Sequence, residues 1–400
     1  MPILNRTDKG WSWVVMISAF ANHLNQGFFV TGIGVLQVAL LEKYPGAVAK
    51  ASWATGLLVG CHLMLGPVGG AVINRWSCRA ALMIGSFLMT VGLVLSAFVN
   101  DLIYVIILMG VVSGVGAGLS TTASEVVIGF NFVRYRNFAC GVAVSGTGIG
   151  TLIFTSLMQM AKDEYGYTGF LLICGGICFQ QVAFGALCRP SYLERKSKDD
   201  REKDESRTVL SDFLQSLSLL RRPSFFCLCS SMFAAIFGVF TMNVHFTSLV
   251  IDQGTSESEA AFFLSIAGAC NAFSRLLIGT AANADNINEL LLYSGCFSVL
   301  GGTATALPLF IEYHRGQIAF AVILGTYSGC CFSLLNSITV KLVGIENLAM
   351  AYGLEYFAGG FGGVVGPVIL GICKTSFNCN FMRNLLGCSF SSSCLTSSNS

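Results

Sequence analysis

Eleven apolar runs, each long enough to cross a bilayer, follow one another at 11–38, 51–73, 80–99, 102–124, 139–161, 167–188, 224–250, 260–282, 288–311, 317–340 and 353–373. In lipid there is no water to satisfy backbone N–H and C=O groups, so only helices or a closed barrel can span. None of the runs shows the period-two alternation of barrel strands. The sequence therefore predicts an all-α membrane protein. Composition agrees: 11% of residues are charged, 54% are hydrophobic and mean hydropathy is +0.70, whereas a soluble domain is about a quarter charged. The net charge of +2 is small and its Lys and Arg are dispersed, which argues against nucleic acid as a partner. The 45 glycines suit close packing of helices in lipid. Most of the 16 cysteines lie inside apolar runs and read as small buried hydrophobes, with no metal-type spacing.

The largest interruption is 189–222, which holds sixteen of the chain's charges with mixed sign and reads as a solvated linker. It divides the chain into a six-helix amino-terminal half, 1–188, and a carboxy-terminal half of five spans, 223–373, followed by a Ser/Cys-rich tail, 374–400. Placing the amino terminus in the cytosol puts Arg6, Lys9, Arg75, Arg79, Arg134, Arg136 and the nine basic residues of the linker inside, against Lys43, Lys50, Lys162 and Arg315 outside. The amino terminus runs into the first span with no small-residue cleavage site, so no cleaved signal is expected. Two half-bundles joined by a charged linker suit a rocking transporter with its site near the membrane midplane.

Several motifs, in order, narrow this further. Gly70-Ala-Val-Ile-Asn74-Arg75-Trp-Ser77-Cys-Arg79 is similar to the loop motif of the major facilitator superfamily, and Gly279-Thr-Ala-Ala-Asn283 echoes it in the second half. Asp8-Lys9-Gly10-Trp11-Ser12-Trp13 resembles the first-span signature of the monocarboxylate transporter family. The stretch from Asn131 through Arg134, Arg136, Ala139, Gly141 and Ala143 to Ser145-Gly146 resembles its fifth-span signature. The likeness runs over about 5–373 and includes Ala51-Ser52-Trp53, Gly185 to Pro190, 268–283, Gly344 to Leu354 and Gly366-Pro367. It implies the two-half fold of the superfamily, a small-molecule carboxylate or zwitterion as substrate, the plasma membrane as location, and room for a single-span ancillary glycoprotein as partner. No cofactor or metal is implied.

Arg275 is the only charge between Ala260 and Ala282. An ionisable residue inside a span is costly and marks function by default. Its guanidinium suits a bidentate clamp on a substrate carboxylate, and the resemblance favours that role; a structural ion or hydrogen-bond partner is the alternative. Further candidates for substrate contact are Asn271, Thr31, Asn25, Gln26, His245 and Glu355, with Asn22, His23 and Glu125 weighed against packing or interface roles. Arg75, Arg79, Arg134, Arg136 and Ser145 are candidates for gating or contact between halves. For Arg134 and Arg136 the choice lies between pairing with carboxylates or helix-end carbonyls of the other half and simple anchoring on the basic side. The series Gly141, Gly146, Gly148 and Gly150 gives the fifth span a smooth side, for packing or for a moving contact.

Two departures from the resemblance bear on mechanism. Proton-coupled lactate carriers of the family have an Asp where this chain has Asn271, and a first-span Lys where alignment from Asp8 places Thr31. Neither residue here titrates, so the expectation is a secondary transporter that is not a lactate-type proton symporter. The alternative is a non-transporting or truncated membrane protein with a regulatory or receptor-like role. After 373 the tail is dominated by Ser and does not read as a twelfth span. The chain has no Walker A sequence, no His-Glu-x-x-His and no Gly-x-Ser-x-Gly, and nothing in it suggests an enzyme.

Overall fold

The computed structural model describes residues 7–202, 217–251, 253–284 and 286–376; the carboxy-terminal tail and the centre of the linker lie outside them. Within these residues the regular structure is helical, with no strand. The helices are α1 (Trp11–Lys43), α2 (Val48–Met64), α3 (Gly66–Arg75), α4 (Cys78–Phe98), α5 (Leu102–Val105), α6 (Gly114–Asn131), α7 (Arg136–Leu187) and α8 (Tyr192–Glu202). After the linker come α9 (Pro223–Ile251), α10 (Glu257–Ala281), α11 (Glu289–Ala306), α12 (His314–Ser328), α13 (Cys330–Val343) and α14 (Leu348–Ser376). Every apolar run of the sequence falls on this helical framework. Among the described residues eight helical stretches are long and apolar enough to span, nine if the bent pair α2 and α3 counts as one. The runs at 11–38 and 353–373 fall on α1 and α14, which include residues with undescribed side chains, and the tail expected to lack a twelfth span lies outside the description.

Breaks within the spans have local causes. α2 and α3 meet at 50°, where Pro67, at the start of α3, lacks the N–H that would continue the ladder. α5 runs into α6 through a π-helical stretch, Ile106–Ser113, inside the fourth apolar run. α7 is two spans in one helical stretch, turned at Gly166, whose φ of 62° favours glycine. The ends are capped where the chain emerges: Ser256 and Glu259 form a reciprocal capping box on α10, and the Asn288 side chain caps α11.

The two resembling motifs of the amino-terminal half form one structure. The Asp8 carboxylate accepts hydrogen bonds from the backbone N–H groups of Val133, Arg134 and Tyr135 at 3.0 to 3.2 Å. Trp13 packs edge-on against Phe132, with ring centroids 5.3 Å apart, and also touches Tyr135 and Phe138. Trp11 Nε1 donates to Leu187 O at 2.8 Å, with the Arg189 guanidinium over its ring. The starts of α1 and α7 and the end of α6 are thereby tied together. Arg136 belongs to the same knot: it donates to Gly129 O and Phe132 O, the last carbonyls of α6. It therefore caps a helix of its own half, and positive charge at that end suits the α6 dipole.

The helices before the linker meet those after it along two seams. In one, α3 and α2 lie on α14: a methyl at Gly66 would come within 2.5 Å of Gly353 O, one at Gly70 within 2.5 Å of Ala349 O, and one at Gly360 within 2.7 Å of Leu63 Cβ. In the other, α7 lies on α10: a methyl at Gly141 would come within 2.6 Å of Arg275 O, and one at Gly148 within 2.5 Å of Ala272 Cβ. Gly146 and Gly150 face the other way, against Phe20 and Leu24 of α1. The glycine series thus serves both packing within a half and contact across the seam. Both seams lie towards the end of the bundle that carries Trp11, Arg75, Asn137, Ala282 and Leu348. One large core joins Val15, Phe132 and Ala139 to Leu334, Leu348 and Tyr352 at this end, and continues through the later helices alone to Val250 and Phe320. The core around Leu36, Ala54, Phe154 and Phe170, towards the opposite end, contains residues of the first helices alone. The bundle is closed at the Trp11 end.

Candidate functional site

Arg275 lies on the inner face of α10, one and a half turns from its Ala281 end, and is 8% exposed. Its Nη1 donates to Val144 O of α7 at 2.9 Å, and its guanidinium carbon stands 5.3 Å from the centroid of the Phe332 ring on α13. The Nε–H of this buried cation has no partner. Room for the side chain comes from Gly329, at the junction of α12 and α13. A methyl there would lie 2.9 Å from Arg275 Cγ and 3.0 Å from Asn271 Nδ2. Asn271, one turn earlier on the same face, donates to Ser328 Oγ at 2.9 Å. A buried guanidinium with its Nε–H unused and an aromatic face beside it can hold a carboxylate.

Facing this cation across the seam is Glu125 of α6, fully buried. His23 Nε2 of α1 lies 3.3 Å from its Oε1, and the hydroxyls of Tyr352 and Tyr356 on α14 reach it at 3.4 and 3.5 Å. Asn336 Nδ2 of α13 donates to the Glu125 backbone oxygen at 2.8 Å. Glu125 and Arg275 lie within electrostatic reach of each other. Among the described residues no ion pair joins them directly. Buried polar atoms without partners gather beside the pair: Asn22 Oδ1, His23 Nδ1, Gln26 Nε2 and Asn336 Oδ1.

The other residues expected from sequence take varied places. Gln26 is buried on α1, three residues on from His23, whereas Asn25 donates to Ile177 O of α7 at 3.4 Å. The side chain of Thr31 lies outside the described residues. Glu355 is fully buried, but its carboxylate accepts from Thr339 Oγ1 at 2.8 and 3.0 Å within the second group of helices. His245 is half-buried near the Ile251 end of α9, the opposite end of the bundle from Arg275. Ser145 bonds back to Val142 O at 2.7 Å on its own helix. Arg75, Arg79 and Arg134 are exposed, Arg134 lying over the Tyr135 ring. At that level the link between the halves is Asn137, which donates to Ala282 O at 2.8 Å and to Glu289 Oε1 at 3.0 Å, with Lys341 paired to the same Glu289. Sequence reading missed Asn137, Gly329, Phe332, Tyr352 and Tyr356. A Gly between two apolar helices and a Tyr pair at i, i+4 were the signals available.

Glycine-lined seams between the helices before and after the linker, with two buried and oppositely charged side chains beside them, are features of a membrane transporter. The model of the major facilitator superfamily matches residues 10–367, and the chain belongs to that superfamily. Within it, the chain is similar to monocarboxylate transporters over nine tenths of its length. It is 27% identical to monocarboxylate transporter 12 of Xenopus laevis, covering 91% of this chain and 83% of the relative. It is 29% identical to monocarboxylate transporter 11 of Mus musculus, covering 96% and 85%, and 25% identical to monocarboxylate transporter 4 of Gallus gallus, covering 90% and 76%. Among solved structures it superposes on the human organic anion transporter MFSD10 with a TM-score of 0.77 at 12% identity, covering 96% of this chain and 98% of that one. The E. coli fucose:proton symporter FucP gives 0.72 at 14%, covering 96% and 98%. At these identities the structural likeness speaks for the fold.

Proposed function

We propose that this chain is a plasma-membrane secondary transporter that moves small carboxylate-bearing or zwitterionic metabolites by alternating access, with Arg275 as the carboxylate clamp. The observation that carries this reading is a buried guanidinium in the seam between the two groups of helices, with Nε–H unused and Nη1 held by a backbone oxygen from across the seam. A carboxylate arriving at Arg275 replaces that bond with a stronger, charge-assisted one. Binding is thus linked to the contact that keeps the Trp11 end closed. With the amino terminus in the cytosol, as the basic residues favour, the closed end is cytosolic and the state is open to the outside. Asn271 bonds to Ser328 and cannot exchange a proton, so the lactate carriers' couple of Lys and Asp has no counterpart at Asn271 and Thr31.

The test is uptake of radiolabelled carboxylates and zwitterions into cells expressing the chain, at two external pH values, with surface protein quantified. Arg275→Ala is expected to lower uptake by about a hundredfold, since truncating one partner of a buried charge-assisted pair costs about 2–5 kcal/mol. Arg275→Lys, which keeps the charge but loses the fork, recovers only part of it. Transport by Arg275→Ala at the parental rate removes the clamp. Proton-stimulated lactate uptake would overturn the argument from Asn271 and Thr31.

A further inference from the structure

Resting on that reading, we infer that Glu125 is the second pole of the substrate site and takes the cationic group of a zwitterionic substrate whose carboxylate sits on Arg275. Three observations on separate elements point the same way.

The first is charge. Arg275 and Glu125 are both buried, sense each other, and are not joined by an ion pair among the described residues. A buried pair held apart is expensive, because neither charge gets the full attraction that would offset its desolvation. A ligand with a negative end at Arg275 and a positive end at Glu125 satisfies both poles and adds no net charge. A simple monocarboxylate satisfies the first pole and leaves Glu125 uncompensated.

The second is the wall between the poles. From Arg275 the aromatic rings run Phe332, Tyr356, Tyr352, with centroids 6.3 Å apart for the first pair and 5.6 Å for the second, the two tyrosines stacked. The tyrosine hydroxyls end at the Glu125 carboxylate. Aromatic faces leading to a carboxylate are a setting for an organic ammonium group, which gains from ring quadrupoles as well as from the charge. They offer nothing comparable to a bare proton.

The third is unused hydrogen-bonding capacity on the amino-terminal side of the same pole. Asn22 Oδ1 and His23 Nδ1, both able to accept from an ammonium group, are buried on α1 without partners, and His23 lies against Glu125. Buried polar atoms of this kind are uncommon and call for an occupant. The charged or titratable groups facing Glu125 are His23 from α1, Cys140 from α7, Arg275 from α10, and Tyr352 and Tyr356 from α14. Arg275 is the one group among these that carries a fixed positive charge, and the clamp commits it to the carboxylate end.

The experiment compares zwitterions with their deaminated analogues: a neutral α-amino acid and a quaternary-ammonium carboxylate, each against the matched monocarboxylate without nitrogen. Uptake is measured for the parent chain, Glu125→Gln and Glu125→Asp, with surface protein quantified for each. The parent is expected to prefer the zwitterion of each pair. In Glu125→Gln the ratio of zwitterion to monocarboxylate uptake falls about tenfold or more, because a site built to pair a charged group penalises loss of the partner. Glu125→Asp, which keeps the charge on a shorter stem and guards against loss of fold, recovers part of the ratio. A ratio unchanged in Glu125→Gln overturns the inference while leaving the carrier function standing. So does a parent that prefers the monocarboxylate and loses only its acid stimulation in Glu125→Gln, which would make Glu125 a proton carrier. Surface-expressed parent that transports no member of the panel overturns this inference and the proposed function together.

Discussion

Gly329 sits where α12 meets α13, against the side chains of Arg275 and Asn271. It lets α12 end and α13 begin directly against the Arg275 stem, and the clearances of 2.9 and 3.0 Å leave no room for a methyl group. Gly329→Ala is therefore expected to push the guanidinium off Phe332 and the Asn271 amide off Ser328. The fold survives, since the intrusion meets side chains and no backbone. Substrate affinity should fall by about tenfold, a loss of about 1.4 kcal/mol of binding, read as a rise in KM with little change in surface expression. An unaltered KM would mean that Arg275 has freedom to spare. At this scale the sequence showed the charged residue and not its setting. Arg275 stood out because it interrupts an apolar run. Its partners, Val144, Gly329 and Phe332, are spread over 189 residues of chain and look like ordinary helix interior. Glu355 shows the converse: a buried acid in a span reads as a site residue, yet which way it faces depends on helix rotation, and Thr339 holds it.

Elements were far more legible than residues. Length, apolarity and the lack of period-two alternation place a helix on each run, because lipid admits only helices or a closed barrel. The bend at Leu65 and Gly66 and the break at Gly329 were not evident, since both occur inside continuous apolar stretches where hydropathy has no contrast. The signatures at Asp8 and at 131–146 were visible as two separate motifs. Their union through the Asp8 carboxylate required the fold, because it joins residues more than a hundred positions apart. The seams carry a prediction at this scale. Gly66→Leu on α3 and Gly141→Leu on α7 each place a bulky group where the facing backbone oxygen allows none. Each is expected to prevent closure of the Trp11 end and to shift the population towards the opposite state. The check is labelling of cysteines introduced at the two ends: reagent access should rise at the Trp11 end and fall at the far end. Equal labelling in parent and variants would mean that the seams do not set the equilibrium.

For the whole molecule, polar ties across the closed end among the described residues include Asn137 to Ala282 and Glu289, Arg275 to Val144, Asn336 to Glu125, and the two tyrosines to Glu125. Hydrogen bonds between helices in membranes average about 0.6 kcal/mol, so together these amount to a few kcal/mol. That is the range in which a ligand can move a two-state equilibrium. Asn137→Ala removes two of the ties without touching the substrate poles. It should raise access from the Trp11 side and slow net uptake while leaving substrate affinity within about threefold, which counterflow and equilibrium binding would separate. If affinity collapses instead, Asn137 belongs to the site. The glycine seams bear on the rate of such a cycle. Surfaces that meet through bare backbone have no interlocking side chains to disengage, so parting them needs no succession of rotamer changes. What resists is mainly the cost of wetting or re-covering a row of carbonyl oxygens at once.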